Sequence, residues 1–123
     1  MDWRVTVGNE RQEPLFTQAE AGVFIDLGST LSTNELVLPM SRFIVKHAPL
    51  TILIQKETET AAATVYIRTA DRYQFLIKNG YGMGYVGTGS RGLETLLEAL
   101  TVNSADIQKL FEPRNRFIQL ELK

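Results

Sequence analysis

The sequence has no cysteine, one histidine and one tryptophan. Without thiols it can build no disulfide scaffold, thiolate zinc site, iron–sulfur cluster or cysteine nucleophile. Any Ser-His-Asp triad or histidine-based acid–base pair would have to pass through His47. A surface or partly buried histidine beside the turn at Pro49 is the simpler expectation. Basic excess is also missing, since 13 Lys and Arg stand against 14 Asp and Glu, a net charge of −1. Nucleic-acid binding driven by phosphate neutralisation is therefore disfavoured. No apolar run approaches the roughly 20 residues of a membrane helix. The stretch MDWRVTVG carries charge too early for a signal peptide, so a soluble cytoplasmic protein without membrane contact is expected. With one histidine and no cysteine, a metal would need clustered carboxylates. Glu57 and Glu59 flank an expected hairpin turn, and Glu94 and Glu98 lie opposite a leucine stripe, so no metal and no cofactor are expected.

What is present reads as one α+β domain over residues 1–123, dominated by antiparallel sheet of about six strands. Trp3, Val5 and Val7 alternate with Asp2, Arg4 and Thr6, as in a half-buried strand. GVFIDL (22–27) is a second strand, closed by Gly28-Ser29. Residues 34–48 fit two structures. Met40, Phe43, Ile44 and His47 have helical spacing, with Pro39 acceptable at a helix start, while Phe43-Ile44-Val45 is good strand material. From Leu50 on, LTILIQKE, ATVYIRT and RYQFLIK are β-branched and aromatic runs between short polar turns, the start of a meander over 50–87. Leu93, Leu96, Leu97 and Leu100 recur at i, i+3, i+4 and i+7 and predict a helix over 91–102. Asn103 or Ser104 can cap a second helix over 104–112, stopped by Pro113. A final strand occupies 116–122.

Six of the nine glycines (Gly80, Gly82, Gly84, Gly87, Gly89 and Gly92) fall in one stretch. GMGYVG matches G-x-G-x-x-G, but the helix is expected only near Ser90 and another helix follows it, not a parallel strand. The P-loop pattern fails because Ser90 stands where its lysine belongs. A hairpin fits better. Asn79-Gly80 supplies the positive φ of a type I′ turn, which would place Tyr81, Met83 and Tyr85 on one face of a strand over 81–87, alternating with glycines. The two-helix unit also invites a helix-turn-helix reading. The charges of 91–116 cancel, however, which argues against a DNA-reading helix.

Two functional expectations follow. The first is a non-enzymatic interaction module that meets a protein partner or a second copy in a homodimer through Tyr81, Met83 and Tyr85, on a sheet face that either the N-terminal segment or another subunit must cover. The alternative is a small enzyme or binding protein for an anionic metabolite, held by Thr88, Ser90 and Arg91 at the helix start 88–92. There the structural explanation is that Ser90 caps its own helix.

Overall fold

The computed structural model describes residues 2–123. Six strands form one mixed sheet: β1 (Trp3–Gly8), β2 (Val23–Asp26), β3 (Leu50–Lys56), β4 (Ala62–Thr69), β5 (Gln74–Gly82) and β6 (Phe117–Leu122), in the order β1-β6-β3-β4-β5-β2. Every neighbouring pair is antiparallel except β2 with β5, which run parallel. The helices are α1 (Thr30–Val37), α2 (Ser41–Lys46), α3 (Thr88–Ala99) and α4 (Ser104–Ile107), with α4 continuing as a 3-10 turn through Phe111. Among the described residues no helix is long and apolar enough to cross a membrane.

Strand alternation builds two unlike faces. One face carries Ile52, Ile54, Val65, Ile67, Phe75, Ile77, Ile118 and Leu120, all buried beneath the helices together with Leu93, Leu96, Leu97 and Leu100 of α3. The leucine stripe is thus a core stripe, as its spacing implies. The opposite face is smaller and mixed. Leu53, Tyr66, Leu76 and Phe117 meet Phe16 there, which arrives on the segment between β1 and β2. That segment is pinned by Gln55, a fully buried amide. Its Oε1 accepts from the Gln12 backbone N–H at 2.9 Å and its Nε2 donates to the Gln12 carbonyl at 3.1 Å. Arg68 donates to the Leu15 carbonyl at 2.8 Å. The N-terminal segment therefore covers the second face over its apolar centre.

Residues 30–46 are helical, which settles the choice between helix and strand. Ser29 caps α1 by accepting from the Ser32 N–H at 3.1 Å. The inward stripe of α1 is polar: Thr30, Thr33 and Asn34, of which Thr33 is fully buried and the others partly, stand at i, i+3 and i+4, ahead of buried Val37. Short side chains suffice because the surfaces they meet are glycines. A Cβ on Gly80 of β5 would collide with Thr33, and one on Gly92 of α3 with Thr30.

The expected hairpin at Asn79-Gly80 is not formed. β5 runs straight through both residues and ends at Gly82. Gln74–Ile77 and Tyr81–Gly82 pair with β4 in two different registers. Lys78, Asn79 and Gly80 together stand opposite the single Thr64, so the ladder bulges there. Asn79 does take the left-handed conformation, φ 56°, and its side chain donates to Asp26 of β2 at 2.9 Å. The meander therefore stops at residue 82, not 87. The following glycines form a loop, and α3 starts at Thr88, three residues before the expected start of 91.

Candidate functional site

The glycine-rich loop is a packing device around one ring. The backbone enters it at Met83, whose N–H donates to the Ala61 carbonyl at 3.0 Å, and bends at Gly84 (φ 81°), whose N–H donates to the Leu110 carbonyl at 2.6 Å. Tyr85 then folds back over Gly82, Gly87 and Gly89. A Cβ at Gly82 would lie 2.6 Å from the Tyr85 hydroxyl oxygen, and one at Gly89 would lie 2.8 Å from it. At Gly89 the backbone N of Gly82 is also only 2.9 Å away. These glycines let the first turn of α3 rest on the end of β5 with the tyrosine ring between them.

This packing disposes the three expected anion-binding residues differently. Ser90 is fully buried at the third helical position. Its hydroxyl donates to the Tyr85 carbonyl at 2.7 Å and accepts from the Gly87 N–H at 3.0 Å. Arg91 points away, bonded to Glu94 at 3.0 Å with its guanidinium 5.0 Å from the Phe111 ring centre. Thr88 is exposed. The three do not converge on one point. Ser90 is not the cap expected of it: Gly87 holds that position, and Ser90 satisfies the Gly87 N–H from the third helical position.

Tyr81, Met83 and Tyr85 are likewise separated. Tyr81 and Met83 are buried, 3% and 0% exposed, beneath the helices, and only Tyr85 reaches solvent at 36%. Of the three, only Tyr85 is open to a partner in this chain. The cause is the bulge, which carries the chain under α1 and α3 in place of returning it along β5. The Tyr81 hydroxyl donates to Asn34 Oδ1 at 2.6 Å, and Asn34 Nδ2 donates to the Gly92 carbonyl at 3.2 Å, tying β5, α1 and α3 together. Burial pushes the Tyr81 phenol pKa well above its ordinary value.

A different cluster emerges around His47. Its Nδ1 lies 2.6 Å from Asp71 Oδ2, while Asp71 Oδ1 accepts from the Thr69 hydroxyl at 2.6 Å. These bonds, Thr69 first and His47 second, hold the Asp71 carboxyl below its ordinary pKa. With a carboxylate at Nδ1 the neutral ring carries its proton there and presents Nε2 as an acceptor. Phe43 and Tyr73 flank the imidazole at 4.4 and 4.6 Å between ring centres, and pack edge-on against each other at 5.0 Å. Both are about two-fifths exposed. A cleft of about 220 Å³ runs nearby, lined by Pro49, Arg68, Thr69 and Glu121, and His47 is outside its lining. Among the described residues no group of three or more acidic or histidine side chains is placed to hold a metal. The spacing of Phe43 and His47, one helical turn apart, was legible in the sequence. Their meeting with Asp71 and Tyr73, on the far turn between β4 and β5, was not.

The exposed apolar side chains are unevenly distributed. Among the described residues, of the nine large ones, Phe24, Leu27, Leu31, Leu36, Phe43 and Tyr73 belong to β2, the loop after it, α1, α2 and the turn leading into β5, and Val7, Tyr85 and Val86 lie elsewhere. Arg42, Lys46 and Arg72 are exposed beside the aromatic trio, whereas Asp71 there is already engaged by His47. The β2 end of the molecule thus carries exposed apolar side chains among charges of both signs, with Asp26 and Glu35 also exposed there. No protein-family model, no curated protein and no solved structure matches this chain.

Proposed function

We propose that the protein is a non-enzymatic interaction module, acting as a homodimer, that binds another protein through the β2 end of its sheet. The observation that carries this reading is the aromatic trio Phe43, His47 and Tyr73, whose two outer rings are about two-fifths exposed, with exposed Arg42, Lys46 and Arg72 adjacent to the trio in the chain. Rigid aromatic side chains lose little entropy when they are covered and dominate the energetics of protein interfaces. Leu31 on α1, 71% exposed, is a further apolar side chain left in solvent. Arg42, Lys46 and Arg72, next to the trio in the chain, favour a partner segment that carries a carboxylate beside its apolar side chains. His47 and Asp71 act here as a brace that fixes the aromatic pair and joins the end of α2 to the turn before β5.

The test is quantitative capture from the native cell extract, with cross-linking and mass spectrometry. A Phe43→Ala/Tyr73→Ala double variant is compared with a Val86→Ala control. Removing half-exposed rings costs about 1–2 kcal/mol of lost aromatic packing, so both variants stay folded. The expected result is one partner cross-linked near residues 42–47 and 72–73, retained by the control and lost by the double variant. Equal capture by all three proteins overturns the reading.

A further inference from the structure

The sheet has two free edges, β1 and β2, at opposite ends. Free edges template pairing, and folded proteins blunt them by shortness, bulges, proline or lysine. β2 is blunted by its four-residue length. β1 is far less protected: it runs six residues as WRVTVG, pairs with β6 in one unbroken register, has no proline or lysine, and carries Arg4 as its single charge. Its helix-side row of Trp3, Val5 and Val7 is only partly covered, and Val7 is exposed.

We propose that this edge pairs antiparallel with β1 of a second copy, about a two-fold axis through Val5, joining the two sheets into one of twelve strands. The assignment supplies the interface of the homodimer named above and rests on that part of the reading, while the partner surface at β2 is independent of it. The strand is complementary to itself in this register. Val5 faces Val5 of the other copy, Trp3 faces Val7, and Arg4 faces Thr6. Aromatic with β-branched is among the favourable cross-strand pairs. The only charge on the strand, Arg4, avoids its own image directly opposite and already has Glu121 of β6 across from it on the inner side. Centring the axis on Arg4 would set two arginines face to face. Pairing of β1 with β2 of the next molecule would be heterologous and open-ended, building filaments, and could use only the four residues of β2. The two-fold arrangement closes the assembly, removes both β1 edges, and leaves a β2 patch facing outward at each end of the long sheet, so the dimer is bivalent for its partner.

Because the chain contains no cysteine, single cysteines report the register directly. In the proposed dimer the two copies of residue 5 stand about 4.5–5.5 Å apart at Cα, within disulfide range. The two copies of residue 7 are offset by four residues, about 13 Å along the strand. Under mild oxidation Val5→Cys should form a cross-linked dimer and Val7→Cys should not, whereas mixed Trp3→Cys and Val7→Cys proteins should cross-link to each other. Thr6 is exposed, so Thr6→Lys leaves the fold intact, as circular dichroism checks, yet puts like charges opposite Arg4 twice. Sedimentation should show its dimer dissociation constant raised about tenfold, and Thr6→Glu should lower it in a manner that fades with salt. A wild-type chain that sediments as a monomer at hundreds of micromolar overturns both the dimer and this interface but leaves the partner reading standing. A wild-type dimer that cross-links at residue 7 and not at 5, or that is indifferent to Thr6→Lys, overturns the interface alone.

Discussion

Substituting Gly89 by alanine separates a packing role of the glycine loop from ordinary helix behaviour, because the two effects have opposite signs. Gly89 sits in the first turn of α3. On propensity alone, alanine in a helix is favoured over glycine by up to about 1 kcal/mol. The added methyl group, however, would lie 2.8 Å from the Tyr85 hydroxyl, 2.9 Å from the Gly82 nitrogen and 3.2 Å from the Tyr81 carbonyl carbon. Two of those neighbours are β5 backbone, which cannot rotate away. The helix must therefore lift off the strand, and overpacking of this kind costs about 1–3 kcal/mol. We expect Gly89→Ala to lower stability by about 1–2 kcal/mol net, a fall in Tm of roughly 3–8 °C for a chain of this size. Gly87 is the internal control. It has extended backbone, and a methyl there would strike only the Tyr85 ring. Tyr85→Ala should relieve the cost of Gly87→Ala almost completely and leave most of the Gly89→Ala penalty in place. Urea unfolding of the two double-mutant cycles reads this difference as two unlike coupling energies. If Gly89→Ala is as stable as wild type or more so, the close approach of α3 to β5 is wrong and the glycines need another explanation.

Two further outcomes follow from the side chains that tie the sheet's margins. Gln55→Ala removes a buried amide that satisfies both backbone groups of Gln12, so it should cost about 2 kcal/mol and speed hydrogen exchange over residues 11–16, with exchange in β3 little changed. A loss of stability without faster exchange in that segment would show that the strap is held by something other than Gln55. Asp71, whose carboxyl is held below its ordinary value, favours the folded state above the pH at which it titrates in the unfolded chain, near pH 4, and that contribution is lost as the pH falls through the lowered value. Wild type and Asp71→Asn should therefore differ most near neutrality and converge toward pH 2, in thermal melts across that range. A gap that is constant with pH would mean that Asp71 acts through shape and not through charge.

The parts of the fold that follow from local pattern were legible. The strands β3, β4 and β6 and the leucine stripe of α3 depend on apolar alternation or on four leucines at helical spacing, and those signals sit in the residues themselves. α1 was not legible because its inward stripe begins with threonine, threonine and asparagine, only the middle one fully buried. Hydrophobic periodicity cannot register a helix whose counterpart is glycine, since close backbone contact, not apolar area, is what the pairing exploits. For the same reason the glycines looked like a loop motif or a strand partner. Their true neighbours, Thr30 and Thr33 of α1 and the Tyr85 ring, are fixed by tertiary packing that no spacing rule encodes.

Asn79-Gly80 shows most clearly where inference from sequence stopped. The pair does mark a residue with positive φ, and that much the chemistry of asparagine and glycine requires. A left-handed residue serves a two-residue turn and a strand bulge equally well, so local chemistry fixes the conformation and leaves its use open. What selects the bulge is β2. Asp26 pairs with Lys78 in the parallel ladder and accepts from the Asn79 side chain, so β5 gains a second neighbour that a hairpin turn at this point would have displaced. That choice decides the surface of the molecule. With the turn, Tyr81 and Met83 would lie on an open hairpin; with the bulge they pass beneath α1 and α3, and the exposed aromatic chemistry shifts to Phe43 and Tyr73. One interaction across 53 residues therefore moves the candidate binding face from the glycine stretch to the β2 end of the sheet.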